Sequence, residues 1–89
     1  METAELTVNS EQGLHARPAD LFIHTANQFS CNIKVKNFTT GSDFVNAKSI
    51  LRVLSLGVYH GHVIHIQAEG TDELQAIEGI STLVKNNFS

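Results

Sequence analysis

Between Gly61 and Glu69 the chain alternates, with Ile64, Ile66 and Ala68 on one side of an extended backbone and His65, Gln67 and Glu69 on the other. Past Gly70 the period lengthens, and Leu74, Ile77, Ile80 and Val84 recur three or four residues apart. A period of two builds a half-buried strand, and a period near 3.6 builds a helix with one apolar stripe. Joined by a glycine turn, the two commit their apolar surfaces to one core, because neither can be buried alone. Thr71 is the expected cap of this last helix, and Asp72 and Glu73 suit its positive end.

The same two periods run through the rest of the chain. Thr3 to Val8 alternates with Ala4, Leu6 and Val8 on one face, and Asn9 to Leu14 reads as the following loop. From Ala16 to Phe29 the residues Ala19, Phe22, Ile23 and Ala26 form a helical stripe, with Asp20 and His24 off it. Ile33 and Val35 alternate with Lys34 and Lys36, and Phe44-Val45 follows the polar stretch Asn37 to Asp43, which predicts a hairpin. A short helix, Ile50 to Leu56, precedes the last strand, with Ser49 as its cap.

The order is strand, helix, strand, strand, helix, strand, helix. It predicts an α+β fold: a two-layer open-faced sandwich whose four-stranded, mainly antiparallel sheet is covered on one face by three helices. At 89 residues, 42% of them hydrophobic and 17% charged, the chain supports one modest core, and we expect a single domain spanning 1–89.

The residues that carry chemistry are Gly13-Leu14-His15-Ala16-Arg17-Pro18-Ala19. Gly13 permits a left-handed backbone, and Pro18 is compatible with a first helical turn, so a helix should begin near His15 or Ala16. An anion at His15 would meet the unpartnered amides of Ala16 and Arg17 at the positive end of the helix. Arg17 adds a permanent charge whose planar fork matches phosphate oxygens. A neutral imidazole is a good nucleophile near neutral pH, and the phosphoramidate it forms can pass its group onward. His15 and Arg17 are therefore the candidate reactive pair, with Ala16 and Arg17 binding phosphate.

Other features bound the reading. A net charge of -3 with no Lys/Arg cluster argues against nucleic acid as a partner, and no apolar run approaches membrane-spanning length. Met1 to Glu5 is acidic and unlike a secretion signal, and the lone Cys31 permits no internal disulfide. A cytoplasmic protein, monomeric and without cofactor, is expected. Cys31 reads as a small buried hydrophobe. His60, His62 and His65 do not converge on one face of a strand, so no metal site is expected.

The heptad resembles the phosphorylation-site signature of HPr, the histidine phosphocarrier family of the bacterial phosphoenolpyruvate:sugar phosphotransferase system. Downstream, Asn46-Ala47-Lys48-Ser49-Ile50-Leu51-Arg52-Val53-Leu54-Ser55-Leu56-Gly57 is similar to that family's regulatory-serine helix. The resemblance covers nearly the whole chain and implies a βαββαβα fold. It also implies a function: His15 accepts a phosphoryl group from enzyme I and donates it to sugar-specific enzyme IIA domains, as a carrier rather than a metabolic enzyme.

For Ser49 the resemblance implies phosphorylation by an HPr kinase/phosphorylase and binding to a transcriptional regulator, although a serine there is also an ordinary helix cap. Ile50 and Val53 are expected to face inward, leaving Leu51 and Leu54 exposed as an apolar pair. With Arg17 and Phe22, that pair is the expected docking surface. The segment Asn37 to Ser42 looks longer than in the simplest members, as in HPr-like modules inside larger phosphotransferase proteins. A rival reading makes the chain a regulatory binding module governed by Ser49. Another makes it a phosphatase fragment using His15, which release of inorganic phosphate without a protein acceptor would favour.

Overall fold

The computed structural model describes every residue from Met1 to Ser89. Strand β1 spans Glu2–Thr7, helix α1 Ala16–Ala26, β2 Asn32–Asn37, β3 Val45–Asn46, α2 Ile50–Leu54, β4 Val63–Glu69 and α3 Glu73–Lys85. This is the βαββαβα order read from the alternating periods. The strands form one antiparallel sheet in the order β1-β4-β2-β3.

Register follows the apolar pattern. Ala4 lies opposite Ile66 and Leu6 opposite Ile64, while Val35 pairs with Ile66 and Ile33 with Ala68. Slipping any strand by one residue would turn these side chains into water, so one buried face fixes the pairing. Leu6, Val35, Ile33, Ile64, Ile66 and Ala68 meet Phe22, Ala26, Val53, Ala76, Ile80 and Val84 from the three helices in one continuous core. Burying each larger side chain contributes roughly 1.5–3 kcal/mol. The opposite face carries Glu5, His65, Gln67, Lys34 and Lys36, and there His65 donates from Nε2 to the Glu5 carboxylate at 2.9 Å and stacks on Phe38.

Several local expectations are corrected. Helix α1 stops at Ala26 rather than Phe29, where the Asn27 side chain donates to the carbonyls of Ile23 and Lys48. Ile50 is exposed and does not share the inward face of Val53, and Leu54 is half-buried rather than exposed. Five residues make little more than one turn, too short for a helical period to decide which side faces the core. Leu74 is likewise exposed and lies off the α3 stripe of Ala76, Ile77, Ile80 and Val84.

Thr71 does not cap α3. Asp72 holds the cap position, yet its carboxylate reaches across the molecule and accepts from the amides of Ser30 at 2.9 Å and Cys31 at 3.0 Å. Those bonds, led by the one from Ser30, hold the Asp72 carboxyl below its ordinary value. Cys31 is buried, and desolvation, followed by the Asp72 carboxylate, pushes its thiol upward. It behaves as the packed hydrophobe its sequence context predicted. Helix α3 packs on β1 and β4 and touches α1, which carries the reactive loop at its leading end.

Candidate functional site

The loop Asn9–Leu14 is pinned before it reaches the helix. Gly13 donates from its amide to the Ser10 carbonyl at 3.0 Å, and the Ser10 hydroxyl donates back to the Gly13 carbonyl. Gly13 adopts φ +63°, and a Cβ there would sit 2.2 Å from the Val58 carbonyl oxygen and 2.6 Å from the Tyr59 Cα. Glycine is required twice over, by backbone conformation and by contact. Leu14 then donates its amide to the Val58 carbonyl at 2.9 Å and buries its side chain completely. Residues 13–14 are thereby clamped to residues 58–59.

His15 follows in the cap position of α1 with extended backbone, φ -131° and ψ 168°. Ala16 takes φ +51°, a left-handed conformation that costs an L-residue about 1–2 kcal/mol. The first helical bond runs from the Ala19 amide to the His15 carbonyl at 3.4 Å, and Pro18 occupies a position where no N–H is needed. The amides of Ala16 and Arg17 donate to no acceptor in the protein. They are oriented donors at the positive end of an 11-residue helix.

No side chain caps this helix end, which leaves that place to the imidazole. His15 is half-buried, with Nδ1 3.2 Å from the Gln12 carbonyl oxygen. Its ring lies over Tyr59, centroids 5.1 Å apart and planes 27° from parallel. Arg17 is exposed and makes no ion pair. An open groove of about 420 Å³ runs beside it, between Gln12 and the C-terminal turn at Asn87 and Phe88. A half-accessible imidazole, two unpartnered amides and an unneutralised guanidinium make a site suited to a small tetrahedral anion.

Ser49 caps α2, its hydroxyl oxygen accepting from the Arg52 amide at a long 3.4 Å. Leu51 is 76% exposed. Phe22 is corrected: fully buried in the core, it offers no atom to a partner, because the inward stripe of α1 claims it. Tyr59 was not found from the sequence, since only the clamp between distant loops brings it under His15. The remaining histidines do not cluster: His60 contacts the Asn9 carbonyl, His65 pairs with Glu5, and His62 accepts from the Asn37 side chain and the Tyr59 amide.

This arrangement has close counterparts. The family profile described as the PTS HPr component phosphorylation site matches residues 2–86. The crystal structure of an HPr from Thermoanaerobacter tengcongensis is 42% identical and covers 99% of this chain and 96% of its own, with a TM-score of 0.93. A phosphocarrier protein HPr from Bacillus anthracis is 36% identical, covering 93% of this chain and 95% of its own, with a TM-score of 0.85. A multiphosphoryl transfer protein of Haemophilus influenzae is 39% identical over 82 residues, which are 92% of this chain and 16% of that protein.

The chain belongs to the HPr family, the phosphocarriers of the phosphotransferase system that serves sugar transport. It spans about a fifth, or less, of the length of the curated relatives it matches. No helix is long and apolar enough to cross a membrane.

Proposed function

We propose that this chain, as one domain over residues 1–89, accepts a phosphoryl group on His15 from enzyme I and delivers it to enzyme IIA domains. The observation that carries this reading is His15 in an uncapped helix start, beside the unpartnered amides of Ala16 and Arg17. Nδ1 is the ring nitrogen nearer the main chain, which makes it the proposed acceptor, with the amides of Ala16 and Arg17 as the donors to the phosphoryl oxygens. Its proton passes through solvent to Nε2, and the Gln12 contact opens. The Nδ1 lone pair then forms the N–P bond while the bond from phosphorus to the donor breaks, its electron pair leaving with the donor. The reverse displacement regenerates free imidazole when the acceptor attacks.

The amides and Arg17 hold the charge on the transferring oxygens, and no further acid–base group is needed. The chain is consumed and regenerated as a carrier, without a cofactor. Exposed Leu51, half-buried Leu54 and Arg17 form the docking surface. Phosphorylation of Ser49 by a kinase would add about -1.5 to -2 charges to that face and so oppose docking, while creating a mark for a transcriptional regulator. The carrier works as a monomer in the cytoplasm.

The similarity to multiphosphoryl transfer proteins favours a second context for the same chemistry, a module within a longer phosphoryl relay. Incubation with phosphoenolpyruvate and enzyme I tests the assignment. Acid-labile phosphate is expected on the native chain and none on His15→Ala; equal labelling of the two would end it.

A further inference from the structure

We infer that Tyr59 is a positioning residue for phosphoryl transfer, a rigid aromatic floor that fixes the plane of the His15 imidazole. The inference rests on His15 as the acceptor. Tyr59 is held at both ends of its backbone. Its amide donates to Nδ1 of His62 at 3.2 Å, and its carbonyl accepts from the His62 amide at 3.0 Å. His62 is fixed in turn by the Asn37 side chain, which donates to the same Nδ1 at 3.1 Å. Asn37 is itself fully buried and donates to the Leu56 carbonyl.

On its other side, the Tyr59 backbone packs directly against Gly13, its Cα only 2.6 Å from where a Cβ on that glycine would stand. The phenol ring also has an aromatic neighbour on two sides, stacked with His15 and in T-shaped contact with His62, centroids 5.9 Å apart and planes at 83°. Yet Tyr59 is 61% exposed, and its hydroxyl makes no hydrogen bond within the protein. A large aromatic side chain held open to solvent in this way contributes little to the core. Its fixed contact is the imidazole.

The consequence is orientational. A free imidazole on the surface samples several rotamers, most of which aim the attacking nitrogen away from the amides of residues 16 and 17. Stacking removes that freedom before the donor arrives, so less of it is lost in the transition state. The ring face is what matters, so phenylalanine should substitute and alanine should not.

The test compares Tyr59→Phe, Tyr59→Leu and Tyr59→Ala with the native chain. Two quantities are read: the NMR shifts of the His15 ring protons in the free protein, and the initial rate of phosphorylation by phosphoenolpyruvate and enzyme I. Tyr59→Phe should keep the upfield ring-current displacement and a rate within twofold of native. The leucine and alanine variants should lose the displacement and slow about three- to tenfold, the size of an aromatic-pair interaction. Leucine guards against a folding defect caused by an unfilled site. Native rates in the leucine and alanine variants would overturn the proposal, as would a phenylalanine variant as slow as alanine. Label that survives His15→Ala would overturn both this proposal and the assignment of His15, which separates that failure from a failure of Tyr59 alone.

Discussion

The amide of Leu14 donates to the carbonyl of Val58 at 2.9 Å, across 44 residues of sequence, and this bond determines where the reactive imidazole stands. It ties the loop before α1 to the loop before β4. His15 is the next residue along one partner and Tyr59 the next along the other. Local sequence builds the helix start, and this tertiary bond builds its surroundings.

Gly13→Ala should disrupt that clamp. A methyl group would meet the Val58 carbonyl at 2.2 Å in a backbone conformation that disfavours alanine. Strain and overpacking together predict a loss of about 2–4 kcal/mol in urea denaturation. Loss of the His15 ring-current displacement should accompany it.

Arg17→Ala should leave stability within about 0.5 kcal/mol of native, since the side chain is exposed and unpaired. Initial rates of phosphorylation should fall about ten- to hundredfold, the value of a charge-assisted hydrogen bond to a phosphoryl oxygen. Arg17→Lys should recover part of this, because the charge returns without the fork.

Leu51 and Phe22 should separate cleanly. Leu51→Ala, at a residue 76% exposed, is expected to keep the melting temperature while raising the enzyme I concentration for half-maximal rate about fivefold. Phe22→Ala should cost roughly 3–5 kcal/mol of stability, and its kinetic effect should appear only where the variant unfolds.

Asp72 should set the acid limb of stability. Its folded carboxyl lies below the ordinary 3.8, so the ionised form is the one that folding favours. Its contribution is complete above the unfolded value and is lost as pH falls from there through the folded value. Asp72→Asn should be less stable than native at pH 7, and the difference between the two proteins should shrink below about pH 3.8, measured by urea midpoints at both pH values.

Much of this was legible because it is periodic. The alternation of Ile64, Ile66 and Ala68 and the spacing of Phe22 and Ala26 each report a buried face, and the structure buries those faces. The reactive heptad was legible because its parts are consecutive. What escaped was short or distant. The five residues of α2 could not show that Ile50 faces outward. Asp72 left its expected role because two amides at Ser30 and Cys31, far off in sequence, compete for its carboxylate. Phe22 was assigned both to the core and to a partner, and packing allows only the first. Tyr59 had no local signal at all, since its importance arises from the fold.

Strand β4 pairs with both β1 and β2 and begins only at Val63. A ribosome that has synthesised the reactive heptad and the serine helix has therefore produced nothing to join the sheet's two halves. Neither the clamp nor the floor beneath the imidazole can be secured until the last third of these 89 residues has been made. A polypeptide released early would contain every reactive residue and have no seat for them, so prematurely terminated products should be silent bystanders in the cell rather than half-competent competitors.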